Sequence, residues 1–109
     1  MSAFYEDVVG LEVLRREEDY VFFRVADGYG GHTQNLALFH APDFDPERTT
    51  LHHVALNVSL EDFDRERARL EELQLGVDVT QHAWIHVRSL YFHDPEGNTL
   101  ELVAYDESI

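Results

Sequence analysis

The order of elements predicted for the second half of the chain constrains its fold more than any other feature. Residues 51–58 alternate in polarity and are rich in β-formers, which predicts a strand. Ser59 lies three residues before Asp62, the spacing of a helix N-cap, and an apolar stripe then runs to Gly76, where we expect the helix to end. Three further strands are predicted at 77–83, 87–93 and 99–105, with Asp-Pro-Glu-Gly-Asn turn chemistry at 94–98.

The first half repeats this order with one piece missing. A helix is predicted at 3–9, and strands at 11–16, 20–25 and 35–40, followed by a linker at 41–50 that is rich in Pro, Asp and Thr. We therefore predict an α+β fold in which two βαβββ units with curved mixed sheets form a cleft. The first unit, 1–40, lacks its opening strand, the second is 51–106, and both belong to one domain of 109 residues.

Composition excludes several functions. The sequence has no Cys, so any metal must be held by His, Asp or Glu. The net charge of −14, with no Lys at all, argues against nucleic acid or an anionic membrane as a partner. No apolar run approaches the ~20 residues of a membrane span, and nothing at the N-terminus suggests export, so we expect a cytoplasmic protein. We interpret the acidity as adaptation to a salt-rich (halophilic) cytoplasm; a GC-rich genome would also deplete Lys without producing such acidity.

Two residues stand out as candidates for chemistry. His53 lies on the strand predicted at 51–58, and Glu101 lies between two leucines of the strand predicted at 99–105. A carboxylate on a buried strand face requires compensation by a metal or a cation. Strand periodicity alone equally allows Glu101 to point to solvent, so the sequence pattern leaves both alternatives open.

Residues 80–101 contain a histidine, His82, an apolar–tyrosine pair ending at Tyr91, an Asp-Pro-x-Gly turn and then Glu101. This stretch resembles the signature of extradiol ring-cleaving dioxygenases. Two further segments, Phe4-Tyr5-Glu6-Asp7…Gly10-Leu11 and Leu51-His52-His53-Val54-Ala55-Leu56, resemble the wider vicinal oxygen chelate superfamily of glyoxalases, bleomycin-resistance proteins and dioxygenases. That wider resemblance extends over nearly the whole chain.

The resemblance implies a role for each candidate. His53 and Glu101 would bind a divalent metal, Fe(II) first and Mn(II) as the alternative, and leave coordination positions open for substrate and dioxygen. His82 and Tyr91 would steer the substrate oxygens, and His32 would be an acid–base group or a loop residue without a role. Two further residues are predicted at the substrate site: Trp84 as pocket wall, and Arg88, which would neutralise a carboxylate or bind an anionic substrate.

Departures from the family pattern keep other functions open. The strand that would supply another His ligand is missing from the first unit, and Gln34-Asn35 occupy the place of the acid–base His. Ala37 stands near the position of a glyoxalase Glu, which disfavours a four-ligand site. The alternatives are therefore a non-catalytic binding protein of the bleomycin-resistance kind and a glyoxalase-like lyase. In each case we expect a small-molecule ligand and a homodimer.

Overall fold

The computed structural model describes all 109 residues except the side chain of Tyr29. The chain divides into two compact units, Met1–Glu47 and Arg48–Ile109. Among the described residues, no helix combines the length and the apolar character needed to cross a membrane.

The first unit consists of a short helix and a three-stranded antiparallel sheet. The helix is a π-helical turn at Phe4–Val8. The strands follow in sheet order at β1 Glu12–Arg16, β2 Tyr20–Asp27 and β3 Thr33–Phe39. Strand β2 is two residues longer than predicted at its C-terminal end because a bulge between Arg24 and Ala26 lets its pairing with β3 continue.

The apolar core of this unit lies on one face of its sheet. Val21 and Phe23 alternate onto that face of β2 and are buried. The ring of Tyr5 reaches the same face from the helix, with its centroid 6.2 Å from that of Phe23. The predicted order of helix and three strands is confirmed for this unit.

The second unit has the predicted βαβββ order. Its elements are β4 Val54–Asn57, α1 Leu60–Glu72, β5 Asp78–His82, β6 Val87–His93 and β7 Thr99–Tyr105. The sheet order is β4-β7-β6-β5, with β4 parallel to β7 and the other pairs antiparallel. Because β4 and β5 run parallel at opposite edges, α1 is the crossover between them and covers one face of the sheet.

The two faces of this sheet differ in character. One face holds the apolar core, to which α1 adds two fully buried residues, Phe63 and Leu70. The strand residues of this core are Leu90, Phe92, Leu100, Leu102 and Ala104. Strand alternation places Tyr91 and Glu101 on the other face, as direct cross-strand partners. That other face is the place where four of the candidate residues of this unit meet.

Two boundaries in this unit differ from the prediction by more than one residue. Strand β4 begins at Val54, so His53 lies directly before it and not within it. The helix ends at Glu72, four residues before Gly76, because Gln74 adopts a left-handed conformation with a φ of 60°. At its N-terminus the prediction is confirmed, since the Ser59 hydroxyl accepts a hydrogen bond from the backbone N–H of Asp62.

Candidate functional site

Four of the sequence-predicted site residues lie together on the second unit's sheet. The Tyr91 hydroxyl donates to Oε1 of Glu101 at 2.6 Å. His82 Nε2 lies 3.2 Å from the same hydroxyl oxygen. His53 Nε2 lies 3.7 Å from Oε2 of Glu101, and its ring makes an edge-on contact with that of Tyr91 at a centroid distance of 6.3 Å. We call these four residues, His53, His82, Tyr91 and Glu101, the site cluster.

The fold explains how these side chains meet. Tyr91 on β6 and Glu101 on β7 are register partners, so both point to the same face. Ala55 of β4 pairs with Glu101 from the other side, and His53 stands two residues before Ala55. The alternation of side chains therefore places His53 beside the carboxylate.

Glu101 does not point to solvent, which settles the alternative that strand periodicity left open. Its exposed fraction is 8%, and the side chain has one oxygen committed to Tyr91. A carboxylate this buried depends on hydrogen bonds or a cation for compensation. The bond to Glu101, followed by burial, raises the pKa of the Tyr91 phenol above its ordinary value, so Tyr91 stays a proton donor.

The direction of hydrogen bonding through the cluster follows from this donation. Because the single Tyr91 proton points to Glu101, the phenolic oxygen can only accept from His82. His82 therefore has its proton on Nε2. The hydrogen bonds run from His82 through Tyr91 to Oε1, which leaves Oε2 of Glu101 directed toward His53.

The gap between His53 and Glu101 has the size of a bridging site. At 3.7 Å, Nε2 and Oε2 are too far apart for a direct hydrogen bond. Nitrogen and oxygen ligands lie about 2.1 Å from a divalent metal ion, so two ligands of one ion lie at most about 4.2 Å apart. The pair fits this limit and supplies one imidazole nitrogen and one carboxylate oxygen. Over the residues that the structure describes, no group of three or more His, Cys, Asp or Glu residues is arranged to hold a metal ion.

Two residues near the cluster were not singled out as functional from the sequence. His52, which was named from the sequence only as part of the segment from Leu51 to Leu56, has its Nδ1 only 2.7 Å from Nδ1 of His53. Ser89 lies two residues before Tyr91 on the same strand face; it is fully buried, and its hydroxyl has no hydrogen-bond partner among the described residues. The adjacency of His52 to His53 is visible in the sequence, whereas no sequence pattern indicates that Ser89 is buried.

Three further candidates are not members of the site cluster. His32 is an exposed residue of the first unit, directly before β3. Trp84 is 82% exposed, in the short helical turn after β5. Arg88 alternates onto the opposite face of β6 from Tyr91 and donates to the buried carboxylate of Asp106, so it neutralises a carboxylate, which is one of its two expected roles. The functional assignments of these three residues stay predictions.

Fold and cluster together define a class: an α+β protein with two units of related element order and a histidine–carboxylate–tyrosine cluster on an open sheet. Comparison with known proteins agrees. The family model described as the glyoxalase/bleomycin resistance protein/dioxygenase superfamily matches residues 1–102. The chain therefore belongs to this superfamily, as the sequence resemblance implied. Comparison with curated proteins found no match.

Solved structures with a similar fold include the following three. A lactoylglutathione lyase from Agrobacterium tumefaciens is similar at 27% identity, with a TM-score of 0.65 and coverage of 94% of this chain and 81% of that one. A fosfomycin resistance protein from Listeria monocytogenes shares 19% identity, with a TM-score of 0.70 and coverage of 98% and 83%. A bleomycin resistance determinant encoded on the transposon Tn5 shares 18%, with a TM-score of 0.66 and coverage of 96% and 85%. These last two similarities show the fold alone.

Proposed function

We propose that this chain is a metal-dependent oxygenase that resembles extradiol catechol dioxygenases and acts on a small aromatic or vicinal-oxygen substrate. The observation on which the proposal depends is the 3.7 Å approach of His53 Nε2 to Glu101 Oε2. Fe(II) is the proposed metal and Mn(II) the alternative, because a histidine and a carboxylate are ligands that both ions accept. When bound, the metal would supply open coordination positions for substrate oxygens and for dioxygen.

Each residue of the site cluster has a proposed task. His53 and Glu101 would hold the metal through Nε2 and Oε2. Tyr91 holds Oε1 of Glu101 at 2.6 Å, which fixes the orientation of the carboxylate and leaves Oε2 as its free ligand oxygen. His82 holds the Tyr91 hydroxyl in place at 3.2 Å, and its Nδ1 is available to exchange a proton with a bound substrate.

Three residues outside the cluster complete the proposal. His32 is proposed as an acid–base group, and Trp84 and Arg88 as substrate-binding residues. The extensive exposure of Trp84 suits a side chain that becomes covered only when a ligand binds. Arg88 already donates a hydrogen bond to Asp106, so a substrate anion would have to share the guanidinium of Arg88 with that carboxylate.

The test is ring cleavage by the full chain loaded with Fe(II), with catechols as substrates and the yellow product followed by absorbance. Glu101→Gln removes the ligand charge and should reduce turnover by more than about 100-fold, beyond the loss typical of a group outside the ligand shell. Glu96→Gln, an exposed acid of the turn before β7, is the matched control and should retain activity. Turnover that persists in Glu101→Gln, or that does not require the metal, contradicts the proposal.

A second function is favoured by a specific observation. Within the described part of the chain, no three metal-ligating residues converge, which suits a non-catalytic small-molecule binding protein of the bleomycin-resistance kind. Such a protein should bind its ligand in the presence of a chelator and after Glu101→Ala. The glyoxalase-like lyase is a third possibility, supported by the 27% identity to a lactoylglutathione lyase, while Ala37 stands near the place of a ligand Glu.

The assembly and setting of the protein belong to the proposal as well. We expect a homodimer that binds small molecules, because open sheets with unpaired edge strands are usually covered. Sedimentation would show a single species of twice the chain mass. We also expect a cytoplasmic protein adapted to salt, and the net charge of −14 predicts that its stability rises with ionic strength.

A further inference from the structure

The contact between His52 and His53 is unusual because it joins two identical ring atoms. The two Nδ1 atoms lie 2.7 Å apart, and the rings meet at 75° with a centroid distance of 4.9 Å. Both residues precede β4, and the His53 side chain is 34% exposed. The distance is that of a hydrogen bond, so the contact constrains where protons are bound.

An imidazole nitrogen donates only when it has a proton and accepts only when it has none. Two nitrogens in hydrogen-bond contact therefore hold one proton between them. If His53 holds it on Nδ1, the Nε2 of a neutral His53 presents its lone pair toward Oε2 of Glu101, 3.7 Å away. If His52 holds it, His53 Nδ1 is the acceptor, and the Nε2 of a neutral His53 has the proton and cannot bind a cation.

We propose that His52 is a positioning residue for His53. In this role His52 Nδ1 accepts the Nδ1 proton of His53, which selects the tautomer whose Nε2 binds a cation and limits rotation of the ring. The inference rests on the proposed metal site of His53 and Glu101. A metal-binding histidine usually donates a hydrogen bond from the N–H of its second ring nitrogen to a carboxylate, a backbone carbonyl or water, and here a neighbouring imidazole is the acceptor.

The hydrogen bond between His52 and His53 also explains how the partly exposed ring of His53 keeps its orientation. His53 is not paired in the sheet, since the pairing of β4 with β7 starts only at Val54. The edge of the Tyr91 ring limits the His53 ring on one side, with a centroid distance of 6.3 Å. The hydrogen bond to His52 fixes the ring at Nδ1, and these two contacts together direct Nε2 toward Glu101.

Zinc is a suitable probe because it is diamagnetic and accepts the same ligands as the proposed metals. Its affinity for the full chain would be measured by calorimetry at about pH 8, where free imidazole is neutral. His52→Leu removes the acceptor and should weaken zinc binding by about 10–100-fold. His52→Asn places a carbonyl oxygen near the position of Nδ1 and should restore most of the affinity. His40→Leu removes an exposed histidine of the first unit and should leave the affinity unchanged.

Nitrogen NMR of the labelled histidine rings provides a readout independent of activity. In the zinc-bound protein, we expect His53 to be protonated at Nδ1 and ligated at Nε2, and His52 to be unprotonated at Nδ1. An unchanged zinc affinity in His52→Leu, or a proton on His52 Nδ1 in the zinc-bound form, would overturn the inference for His52 alone.

Failure of the metal site itself has a different signature. Zinc binding that is absent from the wild type, or unaffected by Glu101→Gln, would overturn the proposed metal site and with it the role of His52 toward a cation. The ring spectra of the metal-free protein would then still decide whether the two Nδ1 atoms share a proton.

Discussion

Removal of the Tyr91 hydroxyl is the sharpest test of how the fold stabilises the buried carboxylate of Glu101. Tyr91→Phe retains the ring and deletes only the donor that lies 2.6 Å from Oε1 of Glu101. A hydrogen bond to a charged group contributes about 1.5–3 kcal/mol, and Glu101 is only 8% exposed, so water replaces the lost donor poorly. The substitution also leaves His82 Nε2 without its acceptor. We expect the free energy of unfolding to fall by about 1.5–3 kcal/mol.

The assay is urea denaturation of both proteins at neutral pH. With a denaturant slope of about 1–3 kcal/mol/M, this loss lowers the midpoint by about 1 M. Tyr105→Phe is the matched control, because Tyr105 lies on the neighbouring strand and is 69% exposed. Its effect should stay within about 0.5 kcal/mol. A loss for Tyr91→Phe no larger than that of the control would refute the argument that this bond stabilises Glu101.

The pH dependence of the stability difference between wild type and Tyr91→Phe provides a second test, and the direction of the change is predicted. The bond to Glu101, and then burial, raise the pKa of Tyr91 above its ordinary value of 10.0. Above that pH the native state retains a proton that the unfolded state has lost, so this contribution to stability falls as pH rises through the native pKa. Tyr91→Phe lacks the group, and the difference between wild type and variant should therefore narrow above about pH 10. A difference that stays constant would contradict the raised pKa.

Substitutions at three further residues test the second unit by urea denaturation. Hydrogen bonds from Ser108, and then from Arg88, lower the pKa of Asp106 from 3.8 to about 2. The contribution of Asp106 to the free energy of unfolding is therefore full above pH 3.8 and is lost as the pH falls toward 2. Asp106→Asn should lose less stability than the wild type between these two pH values. Ser89→Ala removes a buried hydroxyl without a partner among the described residues and should leave stability unchanged or raise it by about 1 kcal/mol, whereas a loss of that size would reveal a bound water or ligand. Ser59→Ala removes the helix N-cap and should cost about 1 kcal/mol, which Ser59→Asp should largely restore.

The second unit shows how far sequence patterns determine local structure. Strands β6 and β7 have the predicted bounds because a turn fixes both of their inner ends. In that turn the Asp94 carboxylate accepts hydrogen bonds from the backbone of Glu96 and from the backbone and side chain of Asn98. A turn with so many local bonds determines the register of the hairpin almost by itself.

Where pairing decides the boundary, the sequence alone is insufficient. The prediction extends the first strand of this unit to residues 51–53, yet the parallel register that matches Val54 with Leu100 would place His52 opposite Asn98, within the turn. A strand cannot continue without a partner, whatever its propensity. In the same register His53 would lie opposite Thr99, the first residue of β7, but the pairing starts only at Val54, and His53 contacts His52 instead.

The helix end shows a second kind of limit. Gly76 is a strong C-terminal signal, and its φ of 66° confirms that it adopts a left-handed conformation. The helix nevertheless ends at Glu72, because Gln74 adopts φ 60° and its N–H bonds back to the carbonyl of Glu71. A non-glycine residue in this conformation is uncommon, so no sequence pattern identifies it.

Glu101 shows why a sequence can name a site residue without deciding its environment. Alternation along β7 separates Leu100 and Leu102 from Glu101, but it does not say whether the second face is buried or open to water. Burial of the carboxylate required a register in which Tyr91 lies directly opposite. Such a partner comes from another strand, and only the paired sheet determines it.

Hydrogen-bond direction then limits what the cluster can bind. Glu101 can only accept, so its bond to Tyr91 determines the proton positions of Tyr91 and His82 in turn. The proton position of His53 is not determined by these bonds, because its Nε2 lies 3.7 Å from Oε2 of Glu101, too far for a direct hydrogen bond. Either a proton or a lone pair of Nε2 can therefore be directed toward Oε2. A proton on Nε2 would make this gap an ion pair or a water site, and a lone pair would make it a cation site. The function of the pair therefore depends on one tautomer, and His52 is the residue in direct contact with the nitrogen that decides it.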